Sequence, residues 1–203
     1  MKIALRLFLV AGFAVAYMSM IWGCSTKSSL SRFYILDSKA KAPLAERPFE
    51  KSVVVGPVRV PTHLERPNIV TRTGQNQLHF SEYHRWAGSL EENIGLVVAK
   101  DLAKLLDTDS VAYYLQHKRG RPWDYRVEIE IIQMDGRLGE KVSLEARWTI
   151  YGRKDKKTAE YHISRFEEDV HGQDYNSLIE AWNKTFSKLS GEIARALLKL
   201  HGS

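Results

Sequence analysis

Histidine and glutamate side chains that could bind a metal ion or transfer a proton gather in one stretch of the sequence. They are His63, Glu65, His79, Glu82 and His84. They spread across predicted turns and strands, and no His-x-x-x-His or Glu-x-x-His pair lies on a predicted helix, where two metal ligands would share one face. The chain also has no Gly-x-Ser-x-Gly elbow and no glycine-rich phosphate-binding loop. We therefore predict no enzyme activity, no metal site and no cofactor, with these histidines solvated or hydrogen-bonded.

Cys24 indicates a different chemistry. It is the single cysteine of the chain, so no intramolecular disulfide can form. The N-terminus carries Lys2 and Arg6, followed by an uncharged and mostly apolar run from residue 7 to residue 22. This order is typical of a secretory signal peptide. The run is shorter than the roughly 20 residues that a spanning helix needs, which favours a cleaved signal over a permanent anchor.

The sequence Ile21-Trp22-Gly23-Cys24 resembles a lipobox, although Trp22 stands where that motif usually has a small residue. The resemblance implies a thioether-linked diacylglycerol on Cys24 and acylation of its new amino group. Several acyl chains anchor stably because each buried methylene contributes about 0.8 kcal/mol. In the same resemblance Ser25, directly after the cysteine, implies the outer membrane. An uncleaved anchor and a soluble product are the alternatives.

Three parts of the chain are predicted: a signal peptide at residues 1–23, a lipidated tether at 24–31 and a single domain at 32–203. The formal charge of the full chain is +6, and two of its cations lie in the signal peptide. The remaining cations are scattered, and no helix-turn-helix, RNP or zinc-finger pattern accompanies them. We therefore expect no nucleic-acid partner.

The hydrophobic pattern predicts an α+β fold. Ser89 and Glu92 form a capping box before the first helix, and apolar residues then recur at helical spacing. Alternating or β-branched runs predict strands near 33–36, 52–60, 68–73, 77–80, 111–115, 126–134, 142–151 and 158–166, with helices near 90–106 and 174–200. We expect a largely antiparallel sheet with the two long helices packed on one face. The order strands, helix, strands, helix is also compatible with a diverged duplication, although no residue-level repeat accompanies it.

A turn bounded by Pro61 and Pro67 is the candidate contact surface. The prolines stiffen the turn, and we expect them to present Leu64 to solvent beside Arg66. Arg72 follows in the next strand, and Trp86 precedes the first helix as a weaker candidate. Arginine and aromatic residues are enriched at interfaces. The alternative is a purely structural turn whose arginines bond backbone carbonyls.

The same stretch carries a family resemblance. The chain has Phe33-Tyr34-Ile35-Leu36 early, then Gly-Pro-Val-x-Val-Pro-x-x-Leu-x-Arg-Pro-x-Ile-Val-x-Arg at 56–72, and Arg85-Trp86 before the first helix. These motifs resemble the PqiC-type ABC-type transport auxiliary lipoproteins. The match is specific between residues 54 and 106 and extends in pattern over most of the chain.

The resemblance implies a lipoprotein at the inner face of the outer membrane. Its implied partners are an MCE-domain protein that forms a tunnel across the periplasm and an inner-membrane protein, and the implied task is lipid transport between the two membranes. The lipoprotein would be the docking end and form a homo-oligomeric ring. An envelope-stabilising lipoprotein without a transport role and a periplasmic hydrolase are the competing classes.

Replacing the acylated residue tests the anchor directly. We expect Cys24→Ser to leave the protein without acyl chains and displaced from the outer membrane, because serine offers no thiol for the thioether. Membrane fractionation and mass spectrometry of the purified variant are the measurements. A variant that is still acylated and still in the outer-membrane fraction would contradict the assignment.

Overall fold

Strands and helices follow one another in blocks along the chain. The computed structural model describes residues 30–117, 122–153 and 158–202. The strands are β1 (Arg32–Tyr34), β2 (Val53–Arg59), β3 (Asn68–Gly74), β4 (Gln77–Trp86), β5 (Val111–Tyr113), β6 (Tyr125–Gly136), β7 (Lys141–Gly152) and β8 (Thr158–Asp169). The helices are α1 (Leu90–Leu105) and α2 (Tyr175–Gly202), and a short 3-10 helix covers Thr62–Leu64. The predicted α+β class and the order of its elements are confirmed.

A five-stranded sheet in the order β5-β2-β6-β7-β8 forms the centre of the fold. The strands β6, β7 and β8 make a long antiparallel meander, whereas β2 is parallel to both β5 and β6. In β7 every second residue is buried, which gives the sheet one apolar face. Residues 53–56 of β2 are all buried, as expected for a central strand with parallel neighbours.

Both helices supply apolar side chains to this core. Ser89 caps α1, because its hydroxyl oxygen accepts a hydrogen bond from the backbone N–H of Glu92 at 3.1 Å, so the predicted start of the helix at Ser89 is confirmed. α1 packs against β2, β5 and α2, and α2 packs against β7 and β8. The buried stripe of α2 includes Leu178, Trp182, Phe186, Leu189, Ile193 and Leu197.

A second, three-stranded sheet has the order β1-β4-β3. β3 and β4 are an antiparallel hairpin, and β1 pairs with β4 in parallel. The strands therefore divide between two sheets, where the sequence led us to expect one. Parallel pairs join strands that are distant in sequence, and no local pattern marks them. The duplication stays a prediction, because no comparison of the two halves tests it.

The chain that leaves β1 is fastened across both helices. The backbone N–H of Asp37 donates to Oδ1 of Asn183 in α2 at 2.9 Å. Oδ1 of Asp101, a fully buried residue of α1, accepts from the hydroxyl of Ser38 and from the backbone N–H of Ala40. Burial raises the pKa of the Asp101 carboxyl, and these hydrogen bonds oppose that rise. The segment after β1 is thus held at fixed points on α1 and α2.

Gly95 allows α1 to pack tightly against β5. A methyl group at this position would overlap the ring of Tyr113, which is itself buried in β5. Gly191 in α2 is different, because the nearest atom to a methyl there would be Nη1 of Arg195 at 3.6 Å. One helical glycine is therefore required by packing and the other is not.

Alanine substitutions at the two helical glycines should have opposite effects on stability. Glycine costs a helix roughly 0.5–1 kcal/mol relative to alanine, whereas overpacking a core costs about 1–3 kcal/mol. We expect Gly95→Ala to lower the free energy of unfolding by about 1–2 kcal/mol, and Gly191→Ala to leave it equal or raise it by up to about 1 kcal/mol. Urea unfolding of both variants is the measurement. A Gly95→Ala variant as stable as the Gly191→Ala variant would disprove the close contact.

Candidate interaction surface

The turn at residues 61–67 has a defined conformation. Its 3-10 helix is closed by a hydrogen bond from the backbone N–H of Leu64 to the carbonyl oxygen of Pro61 at 2.8 Å. The fixed φ of Pro61 favours this start. The carbonyl oxygen of Pro67, at the other end, accepts from the backbone N–H of Trp86 at 2.7 Å. The turn is therefore tied to the end of β4.

Leu64 is not presented to solvent, so that expectation is wrong. Its side chain is 5% exposed and belongs to the hydrophobic core. The 3-10 helix turns Leu64 inward, and burying a leucine stabilises the fold by about 1.5–3 kcal/mol. An acidic residue at this position would therefore disturb folding and could not serve as a selective probe of association.

Arg66 remains on the surface and covers an aromatic ring. Its guanidinium carbon lies 4.4 Å from the centroid of Phe80, which is within the range of a cation–π contact. Phe80 pairs with Val70 across the hairpin and is 37% exposed. An arginine stacked on a partly exposed phenylalanine is a combination that protein interfaces favour.

Arg72 joins the two sheets. Its Nη2 donates to both carboxylate oxygens of Asp135 in β6, at 2.9 and 2.8 Å. Its Nη1 donates to the carbonyl oxygen of Gln75 at 2.9 Å. Asp135 also accepts from the side-chain amide of Gln133 at 2.6 Å. These contacts match the structural alternative, in which arginine bonds the backbone, and a role of Arg72 in partner contact stays a prediction.

Trp86 lies in the core, with 4% of its surface exposed, so its side chain cannot meet a partner in this conformation. The neighbouring His84 holds β1 in place. Its Nδ1 lies 2.7 Å from the hydroxyl of Tyr34, and its ring stacks on Tyr175 of α2 at 3.9 Å. Burial lowers the pKa of His84, and the positive charge of Arg32 lowers it further.

The sequence analysis missed an exposed apolar face of the small sheet. Phe33 and Ile35 are 64% and 60% exposed, and Tyr83 is 40% exposed. The backbone pairs Phe33 with Arg85, two residues after Tyr83 on β4. The run Phe33-Tyr34-Ile35-Leu36 is apolar on both faces, so its sequence alone could not show which two side chains point outward.

Two further sequence predictions concern acylation at Cys24 and the metal site. Cys24 lies outside the described residues, so its acylation stays a prediction. Within the described ranges, no group of three or more histidine, cysteine or acidic side chains is arranged to hold a metal ion. In the same ranges no helix is both long and apolar enough to cross a membrane.

The described residues form an α+β fold with exposed apolar side chains on its small sheet. Residues 34–194 match the family model described as the ABC-type transport auxiliary lipoprotein component, and the chain belongs to this family. Membership makes the chain a lipoprotein, and therefore an envelope protein held at a membrane, and confirms the resemblance seen in the sequence. No curated protein matches the chain.

Two solved structures share the fold. A protein from Xanthomonas campestris superposes with a TM-score of 0.70 and 13% identity, over 85% of this chain and 97% of its own. A second crystal structure, of an uncharacterized protein, gives a TM-score of 0.65 and 16% identity, over 82% of this chain and 98% of its own. At such low identities the likeness concerns the fold alone.

The link between the two sheets can be measured by comparing two arginines. We expect Arg72→Ala to lower the free energy of unfolding by about 1–3 kcal/mol, because it leaves the largely covered Asp135 without its cationic partner. Arg165→Ala is the matched control, since Arg165 is well exposed in its ion pair with Glu145 and should cost less than about 1 kcal/mol. Equal losses in urea unfolding would show that Arg72 does not fasten the sheets.

Proposed function

We propose that this protein is the outer-membrane component of an MCE-type intermembrane lipid transport system. It docks the periplasm-spanning tunnel protein at the outer membrane and does not catalyse a reaction. The observation that carries the proposal is the family match over residues 34–194. The position of Ser25 directly after Cys24 supports the outer membrane as the destination.

The second face of the five-stranded sheet supports a docking role. Tyr161 and Ile163 of β8 are 52% and 39% exposed there. Around them, charged side chains form cross-strand pairs between Arg147 and Glu130 and between Arg165 and Glu145. A broad polar face with a few accessible apolar side chains resembles the composition of non-obligate interfaces.

A homo-oligomeric ring is part of the proposal. Contacts in a ring are head-to-tail, so each protomer needs two different surfaces. The surface that we assign to one side of this contact is Arg66 with Phe80 on the small sheet. The face of the five-stranded sheet that carries Tyr161 and Ile163 is then left for the tunnel protein.

The runner-up is an envelope-stabilising lipoprotein that takes no part in transport. It would share the lipid anchor and the fold, and it would lack an MCE-domain partner. A periplasmic hydrolase would instead require a paired nucleophile and base in one pocket. Partner identity therefore separates the first two classes.

Affinity purification of the acylated protein from detergent-solubilised envelopes tests the proposal. We expect an MCE-domain protein, identified by mass spectrometry, to co-purify with the wild type. Tyr161→Ser with Ile163→Ser should reduce its yield several-fold, because these side chains provide the apolar contacts of the proposed surface.

The controls separate docking from assembly and from folding. Light scattering of the purified proteins should show a symmetric oligomer for the wild type and smaller species for Arg66→Ala with Phe80→Ser. Circular dichroism should show unchanged folding, since all four side chains are partly exposed. An MCE-domain protein that never co-purifies would favour the envelope-stabilising class, and a wild type that stays monomeric at high concentration would exclude the ring.

A further inference from the structure

β1 and the residues that follow it place apolar side chains on both sides of the chain. Tyr34 and Leu36 point inward, where Tyr34 contacts His84 and Leu36 is 7% exposed. Phe33 and Ile35 alternate with them and point outward. Solvent-facing positions of a sheet are normally polar, so this outward pair is unusual for a face that meets only water.

Tyr83 extends the outward pair into a patch. β1 and β4 run side by side, with Phe33 opposite Arg85 and Arg32 opposite His84. Tyr83 lies two residues before Arg85 on β4, in a stretch where the pairing with β3 is irregular, and its side chain is 40% exposed. We call Phe33, Ile35 and Tyr83 the aromatic patch, after the two aromatic rings that it contains.

The short tether decides what can cover the aromatic patch. Phe33 follows Cys24 by nine residues, and a fully extended chain spans at most about 3.5 Å per residue, or about 30 Å here. A compact domain of this length is about 40 Å across. A tether of that reach cannot pass around the domain, so the anchor at Cys24 holds β1 within about 30 Å of the membrane and excludes orientations that turn β1 to the far side.

We propose that the aromatic patch lies against the phospholipid surface of the membrane that holds the lipid anchor. The proposal rests on the anchoring at Cys24 that the proposed function includes, and it does not depend on the MCE-domain partner. Tyrosine and phenylalanine suit the boundary between headgroups and acyl chains because an apolar ring can enter while a hydroxyl stays hydrated. The anchor also keeps the patch at a high local concentration near the lipid, so weak contacts suffice.

A single-cysteine fluorescence experiment tests the contact. Cys24 is the only cysteine, so a chain of residues 24–203 carrying Cys24→Ser is free of cysteine and of acyl chains. This chain keeps the whole core, which runs from Leu36 to Leu197 within the compact unit Ser31–Ser203. An environment-sensitive fluorophore is attached at Phe33→Cys or, as the control, at Tyr161→Cys, where the native side chain is 52% exposed against 64% for Phe33.

The probe surface is a vesicle of phosphatidylethanolamine and phosphatidylglycerol. We expect a blue shift and quenching by brominated lipid for the label at position 33, and neither response for the label at position 161. In vesicle flotation, the combined Phe33→Ser, Ile35→Ser and Tyr83→Ser variant should partition about tenfold more weakly than the unlabelled parent. Tyr161→Ser with Ile163→Ser should partition as the parent does.

Three outcomes would overturn the proposal. The label at position 33 could show no response, the patch variant could bind vesicles as well as the parent, or both labels could respond equally. Light scattering tests whether a second copy of the chain, instead of lipid, covers the aromatic patch. If the patch variant loses an oligomer and keeps its vesicle binding, the aromatic patch is a subunit contact. None of these results changes the outcome of the MCE-domain purification.

Discussion

Burial of one face of the five-stranded sheet beneath α1 and α2 is the constraint on which the rest of the structure depends. Alternation along β7 gives that face its apolar side chains, and both helices must lie there to remove them from water. The contact between Gly95 of α1 and Tyr113 of β5 sets the distance between this helix and the sheet. The other face of the sheet is left accessible, and every proposed contact lies outside the helical layer.

The small sheet is attached to this core by a few specific interactions. Leu64 and Ile69 contribute apolar surface, and Arg72 reaches Asp135 with a two-oxygen contact. Hydrogen bonds between two charged groups are stronger than those between neutral ones. The stack of His84 on Tyr175 secures the opposite side. The outer face of the small sheet is consequently held in one orientation while its exposed side chains remain free for contacts.

Local patterns predicted most of the elements. The alternation of β6 to β8, the stripe of α2 and the Ser89 cap are short-range signals, and the model agrees with them. The parallel pairing of β1 with β4 depends on contacts between residues about 50 positions apart, and no periodicity encodes it. For the same reason the exposure of Leu64 was predicted wrongly, because the direction of a turn depends on the core it meets. Phe33 was missed because both faces of its strand are apolar.

The point at which the tether leaves the domain limits the kind of assembly that can form. Hydrogen bonds to Asn183 and Asp101 fix the chain after β1, so every copy begins its tether at the same place on its surface. In a ring with cyclic symmetry, all copies present that place on one side. Dihedral symmetry would turn half of the anchors away from the membrane. If the proposed ring forms from lipid-anchored copies, its symmetry is therefore cyclic, with the axis perpendicular to the membrane.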